Sequence, residues 1–240
     1  KINIWKRENG KYELDTTHDL ADANLTAMSL SPSGLLMTCG YSDQSVLVWE
    51  LANDKLIKSF SGHNGAVRSV CFSENEEYVL SGSEDTTAIL WYLEGNRNRQ
   101  FQGHLKSITN AIFLPGRSEI VTSSLDHTAK IWSFDKNSNT ISIDAHSYSE
   151  SPLNSHVVWA ADFSPDGKTI VTASYDKTAR VWDAATLELR GVLEGHGKGV
   201  NSASYSPDGQ SIVTASFDEP AKVGRAATVH LGGPLDVKRH

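Results

Sequence analysis

The sequence has few of the residues that mark exported, membrane-spanning or disulfide-stabilised proteins. Only two cysteines occur in 240 residues, Cys39 and Cys71, and both lie inside apolar runs. Two such cysteines indicate buried thiols in a reducing compartment rather than a disulfide framework or a zinc cluster. No apolar run approaches the roughly 18 residues of a spanning helix, and the first residues lack the apolar stretch of a signal peptide. We therefore expect a cytoplasmic protein with no membrane partner.

Positive charge is also in deficit. Lys and Arg number 22 against 29 Asp and Glu, so the net charge is −7. Affinity for a phosphate backbone comes mainly from Lys and Arg, so this balance argues against a nucleic-acid partner. The hydrophobic content of 39% with 21% charged residues is ordinary for a folded chain with a buried core.

Helical periodicity is missing, and short β-branched and aromatic runs replace it. Residues 67–72, 78–81 and 87–91 are such runs, and turn-forming residues separate them. The turn at Ser164-Pro165-Asp166-Gly167 is repeated at Ser206-Pro207-Asp208-Gly209. With a further strand after each tryptophan, the pattern predicts an all-β chain with four antiparallel strands per unit.

The units repeat at a period near 42 residues. Tryptophans keep this spacing, at Trp5, Trp49, Trp91, Trp132 and Trp182. Aspartates lie six residues before the last four of them, and one more keeps the register, giving Asp43, Asp85, Asp126, Asp176 and Asp218. Histidines after a small residue recur too, at His63, His104, His146 and His196. About 42 residues cannot bury both faces of a sheet, so neighbouring units must stack.

These markers resemble the WD40 repeats, which combine a period of about 40 to 45 residues with a Gly-His to Trp-Asp signature. Only Trp182-Asp183 matches the second dipeptide literally, but the period, the markers and the turns agree over essentially the whole chain. The resemblance implies β-propeller blades, about five full ones plus a half blade. A ring of seven such blades would need nearly 300 residues, about 42 for each blade. Either the chain is a fragment of a longer propeller or it forms an open arc with unpaired edges. We favour the fragment, because an open arc leaves strand edges that invite pairing with another chain.

We divide the chain at the repeat markers. The predicted units are a half blade at 1–18 and repeats at 19–61, 62–102, 103–144, 145–194 and 195–237. The fourth repeat contains eight additional residues. Counting back from Ser164-Pro165 aligns Asn154 rather than His146 with His196, so either residue, or neither, fills the network position. The last repeat is degenerate, because Gly224 stands where Trp182 predicts an indole.

The trio His104, Ser124 and Asp126 would suit a nucleophile with its base, but the same residue types recur at one register in other units. One active site needs no such copies. The resemblance instead implies a buried network in which the acid binds the imidazole, and a strand hydroxyl links imidazole and indole. The candidate hydroxyls are Ser81 or Ser83, Thr122 or Ser124, Thr172 or Ser174, and Thr214 or Ser216. We assign the network to His63, Ser83, Asp85, Trp91, His104, Ser124, Asp126, Trp132, Ser174, Asp176, Trp182, His196, Ser216 and Asp218.

Two positions per unit are expected on the face that carries the loop before the first strand and the loop between the second and third strands. We call it the loop face. The first position follows the histidine by about five residues and the second immediately precedes the aspartate. The predicted partner-binding residues are Arg68, Glu84, Thr109, Leu125, Trp159, Tyr175, Asn201 and Phe217. Aromatic residues on a rigid rim are typical binding anchors, and Trp159 is the leading candidate because it lies off the tryptophan period.

From this arrangement we expect a non-enzymatic scaffold that docks a protein or peptide partner. We expect no catalytic residue, cofactor or metal, because no metal-ligand spacing, phosphate loop or nucleophile elbow is present. The alternative is a sensor segment of a larger signalling protein with an NTPase, kinase or protease-like domain.

Overall fold

The computed structural model describes residues 2–8, 11–18, 24–134, 141–143, 145–146, 156–218 and 221–234. Every regular element in these ranges is a β-strand, and none is a helix that could cross a bilayer. The strands form one two-stranded sheet and five four-stranded sheets, all antiparallel. The predicted all-β architecture is therefore confirmed, whereas the exact unit boundaries stay a prediction.

Each four-stranded sheet is one blade with its strands in chain order. The two-stranded sheet consists of β1 (Ile2–Glu8) and β2 (Lys11–His18). Blade 1 consists of β3 (Leu25–Leu30), β4 (Leu36–Tyr41), β5 (Val46–Glu50) and β6 (Lys55–Phe60). Blade 2 consists of β7 (Val67–Phe72), β8 (Tyr78–Ser83), β9 (Ala88–Tyr92) and β10 (Asn98–Phe101). Blade 3 consists of β11 (Ile108–Phe113), β12 (Glu119–Ser124), β13 (Ala129–Ser133) and β14 (Ile141–Ile143). Blade 4 consists of β15 (Val158–Phe163), β16 (Thr169–Ser174), β17 (Ala179–Asp183) and β18 (Leu189–Leu193). Blade 5 consists of β19 (Val200–Tyr205), β20 (Ser211–Ser216), β21 (Lys222–Arg225) and β22 (His230–Pro234).

Tight turns join the first two strands of each blade. In blade 4 the Ser164 hydroxyl donates to Asp166 Oδ1 at 2.7 Å, and Gly167 adopts a φ of 66°. Glycine reaches this left-handed conformation without steric cost, which explains the repeated Asp-Gly turn.

Consecutive blades pack face to face through their first strands, in the series β3, β7, β11, β15 and β19. Apolar clusters fill the interfaces, and the second strands of blades 1 to 4 are buried over five of their six residues. Burial of apolar area on both faces of each sheet supplies the stability that one unit lacks.

The interface between blades 2 and 3 is close enough to require glycine at position 82. A Cβ there would lie 2.6 Å from Ile108 Cγ2. Gly82→Ala should therefore lower the free energy of unfolding by about 1–3 kcal/mol, the usual cost of overpacking a core. Urea unfolding measures this change.

A second substitution makes that test specific. Ile108→Ala removes the Cγ2 atom that the added Cβ would meet, whereas valine would keep it. The loss caused by Gly82→Ala should therefore be smaller in the Ile108→Ala background than in the unchanged chain. An equal loss in both backgrounds would show that Ile108 is not what excludes the Cβ.

Candidate functional site

Blade 2 contains a complete four-residue network. His63 comes from the loop before β7, and its Nδ1 lies 2.8 Å from Asp85 Oδ2. Its Nε2 lies 2.7 Å from the Oγ of Ser81 on β8, and Trp91 Nε1 on β9 donates to the same Oγ at 2.8 Å. Asp85 also accepts the backbone N–H groups of Asn64 and Thr87. The network therefore ties two loops and two strands together inside the blade.

Blades 3 and 4 repeat the arrangement. The His Nδ1 to Asp distance is 2.8 Å in both, for His104 with Asp126 and for His146 with Asp176. The linking hydroxyls are Thr122 and Thr172, which lie 2.7 and 2.9 Å from the imidazole Nε2. They accept the indole N–H of Trp132 at 2.8 Å and of Trp182 at 3.0 Å. His146 thus fills the position that the sequence left open, and Asn154 lies outside the described residues.

The predicted linking hydroxyls are wrong in all four blades. Of the two candidates in each blade, the prediction chose Ser83, Ser124, Ser174 and Ser216. Ser83 Oγ instead donates to Gly65 O at 2.9 Å and accepts from Asp85 N. The other three likewise accept the N–H of Asp126, Asp176 and Asp218. Residues two apart share one face of a strand. Only the first residue of each pair, such as Ser81, lies at the height of the imidazole and the indole.

The end blades carry incomplete versions of the network. In blade 5, His196 binds Asp218 at 3.0 Å and Thr214 at 2.8 Å, and Gly224 stands at the indole position. In blade 1, Cys39 occupies the place of the hydroxyl, and the buried Trp49 Nε1 has no hydrogen-bond partner among the described residues. The middle blades therefore have the more strongly cross-linked interiors.

The bond directions require a neutral imidazole with its proton on Nδ1. The imidazole then donates to the carboxylate, while Nε2 accepts from the hydroxyl and the hydroxyl oxygen accepts from the indole. Burial lowers the pKa of His63 and of His146 below 6.5, outweighing the opposing effects of Asp85 and Asp176. Burial by itself raises the pKa of Asp176, but bonds from His146 and Thr178 outweigh it and hold the pKa at about 2. His63, His146 and Asp176 thus keep one protonation state near neutral pH.

These shifts predict that acid destabilises the fold in two steps. The unfolded chain binds protons on His63 and His146 near pH 6.5, and the folded chain binds them only at lower pH. Their contribution is complete above pH 6.5 and should be lost as the pH falls, with a slope of up to about 1.4 kcal/mol per pH unit for each histidine. Asp176 adds a second loss between its ordinary pKa of 3.8 and about 2. Urea unfolding at pH 7, 6, 5 and 3 measures both steps, and constant stability from pH 7 to 5 would contradict the first.

A β-bulge defines the first predicted loop-face position in every blade. The pairing of the first two strands shifts register at this residue, one place into the first strand. The bulge residues are Thr26, Arg68, Thr109, Trp159 and Asn201. A bulge redirects its side chain away from the regular alternation, and the sequence period located these residues without revealing the bulge.

The second position is joined to the same end of the blade by a backbone bond. Its N–H donates to the carbonyl of the residue two places before the bulge, at 2.9 to 3.1 Å. The residues at this position are Ser42, Glu84, Leu125, Tyr175 and Phe217. The two positions are thereby held side by side on the loop face.

The structure brings some predicted contact residues together in pairs. Arg68 Nε donates to Glu84 Oε1 at 2.9 Å, and both side chains remain 41% or more exposed. Tyr175 and Phe217 are 48% and 49% exposed, with ring centroids 6.2 Å apart in an edge-to-face arrangement. Gly199, which no repeat marker singles out, lies under this pair. A Cβ there would lie 2.7 Å from Tyr175 Cδ2, so glycine allows blade 5 to support the tyrosine ring.

The remaining contact residues are distributed differently. Asn201 is exposed and Leu125 is partly buried. The Thr109 side chain lies in the interface between blades 3 and 4, where its hydroxyl donates to Val158 O at 2.7 Å. Trp159 is partly buried, and its buried Nε1 has no hydrogen-bond partner in the described part of the chain.

The described residues hold no cluster of His, Cys, Asp or Glu that could bind a metal ion. Burial raises the pKa of the Cys39 thiol to about 11 and of the Cys71 thiol to about 12. Both cysteines are therefore protonated and unreactive near neutral pH.

Comparisons with known proteins agree with the geometry of the blades. The family model described as "WD domain, G-beta repeat" matches residues 12–50, 54–92, 95–133, 144–183 and 187–219. Similar proteins include pre-mRNA-processing factor 19 homolog 2 of Arabidopsis thaliana, 28% identical over 40% of this chain and 18% of that protein. They also include the small ribosomal subunit protein RACK1 of Drosophila melanogaster, 39% identical over 27% of this chain and 20% of that protein. A third is the Set1 complex component swd1 of Schizosaccharomyces pombe, 31% identical over 32% of this chain and 19% of that protein.

The matched regions thus span about a fifth of the length of each of these relatives. The five family matches cover most of the present sequence and contain all four of its histidine-linked aspartates. The chain belongs to the WD40-repeat family.

Proposed function

We propose that the chain is a non-enzymatic scaffold that docks a protein or peptide partner on its loop face. The observation that carries this proposal is the half-exposed pair Tyr175 and Phe217, contributed by blades 4 and 5. Large aromatic side chains that remain exposed on a rigid support are the residues that most often dominate binding energy.

Hydrogen bonds hold the backbone under this pair of rings in place. Backbone bonds of 3.0 and 3.1 Å hold the N–H groups of Tyr175 and Phe217, and the histidine networks lock the aspartates that follow them. A surface that loses little conformational freedom on binding retains more of its contact energy. The partner segment would place an apolar side chain against the two rings.

The histidines and aspartates that could otherwise perform acid–base chemistry form hydrogen bonds with one another inside the blades. Their mutual bonds occupy the atoms that a substrate would need, which supports a binding role rather than catalysis. The net charge of −7 and the two free thiols, one buried and one partly buried, favour a cytoplasmic protein with protein partners rather than nucleic acid or a membrane.

The test is quantitative affinity capture from lysate with Tyr175→Ala/Phe217→Ala beside the unchanged chain. We expect the specifically captured protein to fall at least about tenfold, because each truncated anchor typically contributes more than about 1 kcal/mol. Trp159→Ala tests the third predicted aromatic contact in the same way.

Leu189→Ala is the matched control, because Leu189 is 46% exposed but lies on the outer strand β18. It should leave capture unchanged. Equal capture by the double variant and the unchanged chain would refute the loop face as the docking site.

A further inference from the structure

A groove opens on the face opposite to the loop face, between blades 2 and 3. Its walls come from the turns that join the first two strands of both blades and from the ends of their third strands. Its volume is about 590 Å³, within the range of roughly 300–1,000 Å³ that is typical of ligand sites. The side chains that matter here are Tyr78, Tyr92, Phe113, Phe134, Arg99 and Arg117.

Three of these aromatic residues depart from the repeat. Tyr78 and Tyr92 face each other across β8 and β9. The equivalent cross-strand pairs are Leu36 with Glu50, Glu119 with Ser133, Thr169 with Asp183, and Ser211 with Arg225. Phe134 donates its N–H to Ser118 O, and the residues that make the same bond elsewhere are Leu51, Leu93, Ala184 and Ala226. The other blades fold without these rings, so blade architecture alone does not require them.

The rings form one connected wall. Tyr78 meets Tyr92 edge to face with centroids 5.0 Å apart, and it lies 5.8 Å from Phe134. Phe134 in turn meets Phe113 edge to face at 6.0 Å. The rings pack with one side against the apolar cluster between blades 2 and 3, and they also line the groove.

Two guanidinium groups add positive charge to this wall. Arg99 Nη1 donates to the backbone carbonyl of Phe134 at 2.7 Å, a bond that joins blade 2 to blade 3. Arg117 is half exposed, and its Nη1 lies 3.5 Å from Glu119 Oε2. Glu74 is the acidic residue of the lining. Two arginines and one glutamate give the lining residues a formal charge of +1, in a chain whose net charge is −7, and Glu119 lies beside Arg117.

We propose that this groove binds an extended peptide segment of a partner protein that carries a carboxylate side chain next to an aromatic or large aliphatic one. The apolar side chain packs on Tyr78 and Tyr92, and the carboxylate accepts from the guanidinium of Arg117. Arginine is well suited to this contact because its planar donors match a carboxylate in two-bond geometry. The site is separate from Tyr175 and Phe217, so it does not depend on the function proposed for the loop face.

The experiment is selection of peptides from a random displayed library on the purified chain, followed by affinity measurement with synthetic copies of the recovered sequences. We expect Asp or Glu within two residues of Phe, Tyr, Trp or Leu. Arg117→Gln should weaken binding about tenfold, as loss of one charge-assisted hydrogen bond predicts. Tyr92→Ser should weaken it similarly, and serine already occupies the equivalent position in blade 3, at Ser133.

Phe217→Ala separates the two proposed surfaces and should leave the affinity of these peptides unchanged. Recovery of no binding sequence, recovery of basic sequences, or affinity that survives both groove variants would overturn the proposal. Binding lost in Phe217→Ala but kept in Arg117→Gln would also overturn it, and would support the loop face instead. A protein that dimerises through the groove, with Arg117→Gln restoring the monomer, would identify a second copy as the occupant and would likewise reject the peptide.

Discussion

Asp126→Ala should lower the free energy of unfolding by about 3–5 kcal/mol, because it leaves several buried donors without an acceptor at about 1–3 kcal/mol each. The side chain of Asp126 is 5% exposed and accepts from His104 Nδ1, from Thr128 Oγ1 and from the backbone N–H groups of Leu105 and Thr128. Removing the carboxylate leaves these donors without their acceptor inside blade 3. Urea unfolding followed by tryptophan fluorescence measures the change.

Asp43→Ala is the matched control from the same register of blade 1. Within the described part of the chain, Asp43 is exposed and accepts only from the N–H and hydroxyl of Ser45. Its loss should cost less than about 1 kcal/mol, since an exposed turn bond can be replaced by water. Equal losses in the two variants would show that the aspartate acts through the turn and that the histidine network contributes little.

Thr122→Val should lower the free energy of unfolding by about 2–4 kcal/mol, although valine has nearly the same shape. The hydroxyl links two buried groups, because it donates to His104 Nε2 and accepts from Trp132 Nε1. Each buried polar group left without a partner costs about 1–3 kcal/mol. The same urea titration measures the loss.

The incomplete network of blade 5 supplies the internal comparison. Thr214 contacts His196 Nε2 at 2.8 Å, but Gly224 stands in place of the indole. Thr214→Val therefore leaves one side-chain group unsatisfied rather than two, and should cost about half as much. A loss in Thr214→Val as large as in Thr122→Val would mean that the indole bond contributes nothing to stability.

The repeat architecture could be predicted because its evidence is local. Tryptophan, aspartate and histidine recur at one period, and each run between turns alternates as a strand does. Such signals lie within a single unit, so one sequence is enough to detect them. The fold class and the family follow from them, and both are confirmed.

The choice between Ser81 and Ser83 could not be made in the same way. Both residues face the same side of β8, and their difference is one of height relative to the His63 ring, which arrives from a loop. The assignment of His146 was open for a similar reason. The eight additional residues of its loop can be aligned before or after the histidine. Closure of a loop onto a strand is a long-range event that local patterns do not encode.

The sequence by itself determined which side chains recur, and hence that the chain forms stacked β-blades with a shared internal chemistry. Only the tertiary structure decided which hydroxyl completes each network, that Tyr175 rests on Gly199, and that Tyr78 and Phe134 meet across two blades. The physical reason is the separation along the chain of the residues that interact. Strand alternation and turn formation act between near neighbours, whereas the networks and the ring clusters join residues 18 or more positions apart in the chain.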